Sequence, residues 1–328
     1  MCDESRRNLN NNKLEIMVSK IKVAVLTGGI GSERQISLQS GECVTTALKE
    51  AGFEVVTADI RPDNLEVLDD TSIDIFFPAL HGKFGEDGQL QQILEDRSLI
   101  YAGSGPAASR LAFDKMASKL LFEDVGVSTP AAVEFDDQMN IDIIEEQLLQ
   151  FANRYVVKPI RQGSSVGVSI VSTLQDAVDA ARRTFSEFGD CMIEEFVPGR
   201  EVTVGILDGR PLPIIEVRTK SSFYDYHAKY HDEQTQYLFD TVTDTATAVN
   251  LSRAAVDCFE ALGCRHFARV DFLLTDDQTA YVLEANTIPG FTSHSLLPKA
   301  AAKAGLSMSG LCSNIVETAY SSLAGRKV

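Results

Sequence analysis

The chain has 328 residues and a formal net charge of −17; 44% of its residues are hydrophobic and 23% are charged. These proportions are typical of a globular protein, and the length exceeds one ordinary hydrophobic core, so we expect two or three domains. The negative charge argues against a general binder of nucleic acid or of anionic membranes, because both require a basic surface. A small anionic ligand stays open, since it responds only to the charges that line its pocket.

Cysteine usage and the N-terminal segment bear on the compartment. The six cysteines are scattered without a CxxC pair, which indicates neither a disulfide framework nor a zinc site and is typical of a reducing compartment. No apolar run approaches the length of a membrane span, and the first 20 residues lack the apolar centre of a signal peptide. We predict a cytoplasmic protein in which residues 1–20 are a disordered tail, or an extension upstream of a true start at Met17.

Residues 21–105 alternate between strand and helix patterns. IKVAVLTGG predicts a buried strand, SLQSGECVTTALKEAG a helix, and FEVVTADI and IDIFFPAL two further strands, before a second helix at QLQQILED. This βαβ order predicts a parallel sheet, in which ligands bind at the loops after the strands. The loops 27–32 and 81–88 are two such places.

In residues 106–197 the alternation of strand and helix patterns is replaced by a different order. A helical pattern runs over residues 106–125, where we predict one long helix that Gly126 and Pro130 end. A smaller α+β segment follows, in which YVVKPIRQGSSVGVS places Lys158 at the end of a strand and before a Gly/Ser turn. Backbone N–H groups of such a turn can hold phosphate oxygens, and a lysine adds a charge. Alone, the segment favours a plain hairpin turn, because it lacks the residue order of a Walker loop.

Residues 198–328 contain two predicted hairpins separated by a polar, aromatic loop and a helix, AVNLSRAAVDCFEALG. The first hairpin joins EVTVGIL to LPIIEVR through Asp208-Gly209, a favoured turn pair. The second joins HFARVDFLL to AYVLEAN, with TDDQT between them.

The second hairpin is predicted to collect polar groups on one face. Residues two apart in a strand share a face, so Arg269 points with Asp271, and Glu284 with Asn286. A two-residue turn at 277–278 would place Asp271 opposite Glu284 and Arg269 opposite Asn286, whereas a shift by one residue would separate them. Two carboxylates and an amide oxygen suit Mg²⁺. The spacing alone fits equally well an Asp–Arg ion pair beside a solvated Glu284.

Other polar segments are ambiguous when taken singly. The glycines of TGGIGSE (27–33) are compatible with a loop that binds a nicotinamide dinucleotide, but the segment lacks the GxGxxG order of such loops. Lys115, on a helix with apolar neighbours, is by itself more typical of a surface lysine. The acidic residues that flank FVPGR are by themselves typical of solvated carboxylates.

Seven segments nevertheless occur together in one order: GGIGSERQISLQSG, ALHGKFGEDGQLQ, YAGSGPAASRLAFDK, VVKPIRQGSSVGVS, FYDYHAKY, ARVDFLL and LEANTIPGFTSHSLLP. They resemble the D-alanine–D-alanine ligase family of the ATP-grasp superfamily of carboxylate–amine ligases, over nearly all of the chain after Ile21. The resemblance implies a three-domain ATP-grasp architecture of the α/β and α+β classes. It has an N-terminal parallel-sheet domain at 21–105, a central subdomain at 106–197 and a C-terminal subdomain with the metal site at 198–328.

The resemblance also implies the residues that bind ATP and metal. The implied nucleotide-binding residues are Lys115, Lys158, Gly163, Ser164, Ser165, Val166, Glu194, Glu195, Phe196, Val197, Glu201 and Lys229. Among them, the lysines would contact phosphates, the loop 163–167 would close over them, residues 194–197 would line the adenine pocket, and Glu201 would hold the ribose. Asp271, Glu284 and Asn286 would bind two Mg²⁺ ions, for which Mn²⁺ can substitute, with Glu284 shared between them.

The implied substrate and catalytic residues come from all three segments. Those for substrate are Glu33, His81, Arg269, Gly290, Ser295 and Leu296; those for catalysis are Glu33, Ser164, Tyr230, Arg269 and Gly290. Glu33 would receive the ammonium of the first D-alanine, with His81 close by, and would form a hydrogen-bonded set with Ser164 and Tyr230. Arg269 and the N–H of Gly290 would stabilise an oxyanion. The hydroxyl of Ser295 and the N–H of Leu296 would hold the carboxylate of the second D-alanine.

The implied reaction is ATP-dependent ligation of two D-alanines through an acyl phosphate, for peptidoglycan precursors, by a homodimer whose loop 221–237 closes the site. Glu195 departs from the lysine of many relatives, and Ile288 replaces a small polar residue. Tyr230 favours the dipeptide over D-alanyl-D-lactate. Three alternatives stay open: an ATP-grasp ligase for another acid and amine, a nicotinamide-dependent oxidoreductase and a non-catalytic nucleotide-binding protein.

Overall fold

The computed structural model of the chain describes residues 21–151, 154–219 and 234–324. Within these ranges the strands form three sheets, one parallel and two antiparallel. The predicted combination of α/β and α+β structure is confirmed. None of the described helices is long and apolar enough to span a membrane.

The first sheet is parallel, as the βαβ pattern predicted, with the strand order β2-β1-β3. Its elements are β1 (Lys22–Gly28), α1 (Arg34–Glu50), β2 (Glu54–Ile60), a short 3₁₀ helix (Glu66–Asp69), β3 (Ile75–Pro78) and α2 (Gln89–Asp96). β1 and β3 end at Gly28 and Pro78, so the loops that carry Glu33 and His81 start at one edge of the sheet. That edge is where the parallel topology predicts a binding site.

Two helices replace the single long helix predicted over residues 106–125, so that prediction was wrong. They are α3 (Pro106–Phe113) and α4 (Lys115–Asp124). Asp114 lies between them with an extended backbone, and its carboxylate accepts a hydrogen bond from the N–H of Ala117, which caps α4. The break makes Lys115 the first residue of α4.

The second sheet is antiparallel and has the order β4-β7-β5-β6. Its elements are β4 (Ala132–Phe135), α5 (Ile141–Leu148), β5 (Tyr155–Lys158), β6 (Ser169–Val171), α6 (Leu174–Phe188) and β7 (Cys191–Glu195). Lys158 ends β5, as predicted, and the Gly/Ser loop joins β5 to β6.

The third sheet has the order β11-β10-β8-β12-β13, with a short strand β9 beside β8. Its elements are β8 (Arg200–Leu207), β9 (Arg210–Pro211), β10 (Ile215–Arg218), β11 (Gln236–Phe239), α7 (Thr245–Ala261), β12 (Phe267–Leu274), β13 (Ala280–Asn286), α8 (Leu296–Lys303) and α9 (Met308–Ala324). Asp208 and Gly209 both have positive φ angles, of 50° and 69°, as a tight hairpin turn requires. The predicted first hairpin is confirmed.

The hydrophobic cores join the sheets to one another. One core contains residues of β1, β3 and α1 together with residues of β10, β12, α8 and α9. At its centre Phe291 packs edge-on against Phe77 of β3 and Phe267 of β12, with ring centroids 5.4 and 5.6 Å apart. This packing holds the ends of β1 and β3 beside the third sheet. Phe122 of α4 packs in a second core with β8 and β12, so α4 contacts the third sheet.

The close packing of α1 on β1 provides a test of this core. We expect Gly41→Ala to lower the free energy of unfolding by about 1–3 kcal/mol, because a Cβ at position 41 would overlap Cγ2 of Thr27. Gly310→Ala, in the first turn of α9, is the matched control: its added Cβ would meet only Ser307 Oγ, at 3.5 Å, and Leu306 Cδ2, at 3.9 Å. Denaturant unfolding of both variants measures the difference; equal stabilities would show that α1 can shift away from β1 without cost.

Candidate active site

Two adjoining clefts lie where the three sheets meet. The first cleft is lined by Glu33, His81, Gly163, Ser164, Arg269, Asn286, Gly290, Ser295 and Leu296. The second cleft is lined by Lys158, Ser165, Val166, Glu194, Glu195, Phe196, Val197, Glu201 and Asp271. Lys115, Gln162 and Glu284 line both. The predicted substrate residues therefore line one cleft and most of the predicted nucleotide residues line the other, except that Gly163 and Ser164 line the first.

Two predicted residues, Lys229 and Tyr230, lie outside the described residues, as do residues 221–233 of the predicted closing loop. Their roles stay predictions.

The hairpin of β12 and β13 brings the predicted metal residues together. Asp271 is opposite Glu284, and Arg269 is opposite Asn286, so the predicted register at these positions is confirmed. The predicted turn, however, was wrong. The strands stop pairing at Leu274 and Ala280 and are joined by the five-residue loop 275–279.

A β-bulge reconciles the longer loop with the predicted register. Between Asp271 and Phe272 the pairing shifts by one residue, so Leu283 has no opposite residue on β12. Bulges of this kind bend a strand and re-aim its side chains. Here the consecutive residues Leu283 and Glu284 both line the second cleft. A regular strand would point them to opposite faces.

Arg269 and Asp271 form a two-point ion pair. Arg269 Nε donates to Asp271 Oδ1 at 2.8 Å, and Nη2 donates to Oδ2 at 2.7 Å. Thr203 Oγ1 donates to Oδ1 at 2.6 Å. The ion pair of the alternative interpretation is therefore present, but Glu284 is not simply solvated, because its Oε2 lies 3.3 Å from Lys115 Nζ. These contacts hold both carboxylates in place at the boundary of the clefts.

Lys115 connects the Gly/Ser loop to β13. Its ammonium donates to the carbonyl of Gln162 at 2.7 Å and lies beside Glu284. Its backbone position follows from the Asp114 cap, and the same Asp114 carboxylate accepts from Arg161 at the start of the loop. A cation is thereby held at the junction of the two clefts.

The Gly/Ser loop contacts Glu33, which lies in the loop between β1 and α1. Ser164 Oγ donates a hydrogen bond to Glu33 Oε1. Ser164 and Ser165 both have positive φ angles, of 53° and 58°, a strained conformation for residues other than glycine that is found at ligand-binding loops. A Cβ at Gly163 would lie 3.0 Å from Glu33 Oε2, so glycine permits the close approach. Two members of the predicted hydrogen-bonded set are thus in contact.

His81 is buried between the first sheet and the turn that follows β13. Nε2 lies 3.0 Å from Ser40 Oγ, and Nδ1 lies 3.1 Å from the carbonyl of Ile288, which only accepts, so Nδ1 carries a proton. Burial alone would lower the pKa of His81, but the neighbouring Glu86 and Glu33 carboxylates outweigh it and raise the pKa. His81 is therefore a buried imidazole that lines the first cleft and donates a hydrogen bond from Nδ1 to Ile288.

The turn after β13 leads into the N-terminus of α8. Ser295 Oγ accepts from the N–H of Thr292 at 2.9 Å, and a Cβ at Gly290 would lie 2.6 Å from the same oxygen. Leu296 is the first residue of α8. The first N–H groups of a helix lack acceptors within it and favour an anion. This part of the first cleft suits a carboxylate.

A buried ion cluster lies at the second cleft. Lys158 Nζ is 2.7 Å from Glu194 Oε2, and Lys119 Nζ is 2.5 Å from Glu194 Oε1. Burial alone would raise the pKa of Glu194, but the two lysines lower it. Lys119 was missed from the sequence. The signal that could have found it is its spacing, since Lys115 and Lys119 are four residues apart and so share a face of α4.

Comparison with family models covers most of the chain. Residues 121–317 match the model described as the D-ala D-ala ligase C-terminus, and residues 64–104 match the D-ala D-ala ligase N-terminus.

Curated proteins and solved structures that are similar to the chain indicate the same family as the family models. The chain is 43% identical over 296 residues to a D-alanine--D-alanine ligase of Syntrophotalea carbinolica, covering 90% of this chain and 95% of that one. The structure of a D-alanine--D-alanine ligase from Bacillus anthracis complexed with ATP has a TM-score of 0.81 and 34% identity, covering 93% and 99%. That of the VanG D-Ala:D-Ser ligase from Enterococcus faecalis has a TM-score of 0.80 and 27% identity, covering 92% and 99%. The chain therefore belongs to the D-alanine–D-alanine ligase family and has its ATP-grasp architecture.

Proposed function

We propose that the chain uses ATP to join two D-alanine molecules into D-alanyl-D-alanine through an acyl phosphate, and so supplies peptidoglycan precursors. One observation carries the proposal: the two clefts adjoin, and Lys115 and Glu284 line both. A carboxylate bound in the first cleft would then lie next to the terminal phosphate of a nucleotide bound in the second.

In the first step, a carboxylate oxygen of the first D-alanine attacks the γ-phosphorus of ATP, and the bond to the β-phosphate oxygen breaks to release ADP. Phosphoryl transfer depends mainly on positioning and on neutralising charge. Glu33 would hold the substrate ammonium, while Lys115 and Lys158 would neutralise the phosphates. The contact of Ser164 with Glu33 supports a loop that shields the acyl phosphate from water.

In the second step, the amine of the second D-alanine attacks the acyl carbon, and phosphate leaves through a tetrahedral intermediate. Arg269 and the N–H of Gly290 would donate to the oxyanion. The carboxylate of the second D-alanine would bind the hydroxyl of Ser295 and the N–H of Leu296, which the anion-favouring helix start supports.

The oxygen donors at the hairpin fit Mg²⁺. Asp271 and Glu284 form a cross-strand pair, and Asn286 adds an amide oxygen nearby. Among the described residues no group of three or more His, Cys, Asp or Glu side chains could hold a metal, so the ion would take its remaining ligands from the nucleotide and water. We infer two Mg²⁺ ions that share Glu284 and for which Mn²⁺ can substitute. Bound there, they would neutralise charge on the transferred phosphate.

The proposal is tested by phosphate release from ATP. We expect release that requires both D-alanine and Mg²⁺, and D-alanyl-D-alanine as the product by mass spectrometry. D-serine as the second substrate tests the alternative of another acid and amine, which the likeness to the VanG D-Ala:D-Ser ligase keeps open. Release with another pair but not with D-alanine would keep the ligase chemistry and change the substrate. No release with any amino acid would contradict the proposal.

We also propose a cytoplasmic homodimer, which rests on the family resemblance. Light scattering should give twice the mass of the chain; the mass of one chain would contradict it.

A further inference from the structure

Lys119 is a buried lysine that the proposed chemistry does not use. Its side chain is 6% exposed, and its ammonium lies within hydrogen-bond distance of three acceptors. They are Thr129 Oγ1 at 2.8 Å, the carbonyl of Pro130 at 2.6 Å and Glu194 Oε1 at 2.5 Å. The ammonium donates hydrogen bonds to Thr129 and Pro130 and forms an ion pair with Glu194, and Lys119 lines neither cleft. Lys119 cannot itself bind a phosphate while these contacts hold.

Lys158 differs from Lys119 in what its ammonium contacts. It lines the second cleft, and among the described residues Glu194 is its one hydrogen-bond partner. Two of its three hydrogens are therefore available to a ligand. Glu194 accepts from Lys158 with one oxygen and contacts Lys119 with the other, so it sets the position of Lys158 relative to Lys119.

The contacts of Lys119 continue to β13. Thr129 Oγ1, which accepts from Lys119, donates to the carbonyl of Val282 at 3.0 Å, and the N–H of Val282 donates to the carbonyl of Ser128 at 2.8 Å. Val282 is two residues before Glu284. On the other side, the N–H of Glu195 donates to the carbonyl of Ala131 at 2.8 Å. The segment 128–131 therefore bridges β13 of the third sheet and β7 of the second.

We propose that Lys119 is a positioning residue that sets the distance between Lys158 and Glu284. It holds Glu194, and through it Lys158, on the second sheet, and it holds the bridge 128–131 against β13 on the third. The inference rests on the proposed function in one respect: it takes the ligand between Lys158 and Glu284 to be Mg-ATP. Without the Lys119 charge, Glu194 would have Lys158 as its sole cationic partner and would compete with the phosphates for it.

The charge of Lys119 depends on pH in a range that can be tested. Burial lowers the pKa of Lys119 to about 8, and Lys158 on β5 acts in the same direction, whereas Glu194 on β7 and Glu123 on α4 oppose it. Lys119 is therefore charged below pH 8 and loses its proton as the pH rises through 8. Arginine at this position would stay charged throughout.

The test is the dissociation constant of Mg-ATP, measured by calorimetry with Lys119→Met, Lys119→Arg and the control Lys49→Met. Lys49 is exposed at the end of α1 and lines neither cleft. We expect Lys119→Met to weaken binding about 10–100-fold, the range found when a residue that orients a metal ligand is lost. Lys119→Arg should restore most of the affinity, and Lys49→Met should not change it.

A pH series separates this role from a merely structural one. Wild-type affinity for Mg-ATP should fall between pH 7 and pH 9, and Lys119→Arg should flatten that dependence. Folded Lys119→Met with wild-type affinity at both values would overturn the proposal. If Lys119→Met does not fold, Thr129→Val removes the hydroxyl between Lys119 and β13 without removing charge; unchanged affinity in that variant would overturn it as well. Nucleotide binding is measured without any amino acid, so this test does not depend on whether the chain uses D-alanine. A failure of the D-alanine reaction would contradict the proposed function and leave the role of Lys119 in nucleotide binding to be judged by these affinities.

Discussion

Glu284→Gln is expected to lower phosphate release in the presence of D-alanine and ATP by about 10²–10³-fold, the usual loss when a group that stabilises transition-state charge is removed. Glu284 lies beside Lys115 and is the carboxylate of the hairpin that lines both clefts. Glutamine keeps the size and one oxygen but removes the negative charge that a divalent cation needs. The apparent affinity for Mg²⁺ should fall together with the rate.

The control for this variant is Glu187→Gln, which changes an exposed glutamate on α6. It should keep wild-type activity, and thermal unfolding of both variants shows whether the fold is intact. If the folded Glu284→Gln enzyme kept activity within about threefold of wild type, Glu284 would not be a metal ligand. A loss that small is far below what a charge-stabilising group contributes.

The α/β part of the fold could be predicted because its signals are local. Each strand of the first sheet is a short apolar run bounded by a turn residue, and these runs coincide with β1, β2 and β3. The break between α3 and α4 could not be read in the same way. Asp114 sits inside a continuous helical pattern, and only the hydrogen bond from Ala117 identifies it as a cap. A capping residue and a surface aspartate look alike in sequence.

The hairpin shows how a correct site can follow from an incorrect local structure. The predicted turn was shorter than the real loop 275–279, which by itself would have shifted Asp271 away from Glu284. The bulge at Leu283 shifts the register back by one residue. Nothing in the sequence of the strand marks the bulge, because Leu283 continues the apolar run that begins at Tyr281. What it achieves, two consecutive side chains in the second cleft, becomes visible only in the structure.

Residues that act by positioning other residues could not be predicted from the sequence. Lys115 and Lys158 belong to quoted segments that resemble a known family, whereas Lys119 stands just beyond one of them. Its partners Thr129 and Glu194 are 10 and 75 residues away in the chain, and only folding brings them together. Burial of three charged groups without partners would be prohibitive, so the cluster depends on the fold as a whole.

Arg269 gives the second large effect, and the reason lies in its two-point ion pair with Asp271. We expect Arg269→Lys to lower kcat by about 10²–10³-fold, as for the loss of an oxyanion donor. Lysine keeps the charge but cannot reproduce the two parallel hydrogen bonds. Arg269→Met should cost more, because it also leaves Asp271, which is 5% exposed, without its cation. The KM for ATP should therefore rise in Arg269→Met more than in Arg269→Lys.

The control for the chemistry of Arg269 is Arg97→Lys, which changes a surface ion pair with Asp69 and should leave the rate unchanged. Steady-state kinetics with D-alanine and ATP separate the two roles of Arg269. A loss in kcat with little change in the KM for D-alanine assigns Arg269 to the transition state, because ground-state binding is then intact. A rise in the KM for D-alanine with unchanged kcat would instead assign it to substrate binding. In that case the oxyanion would depend on the N–H of Gly290.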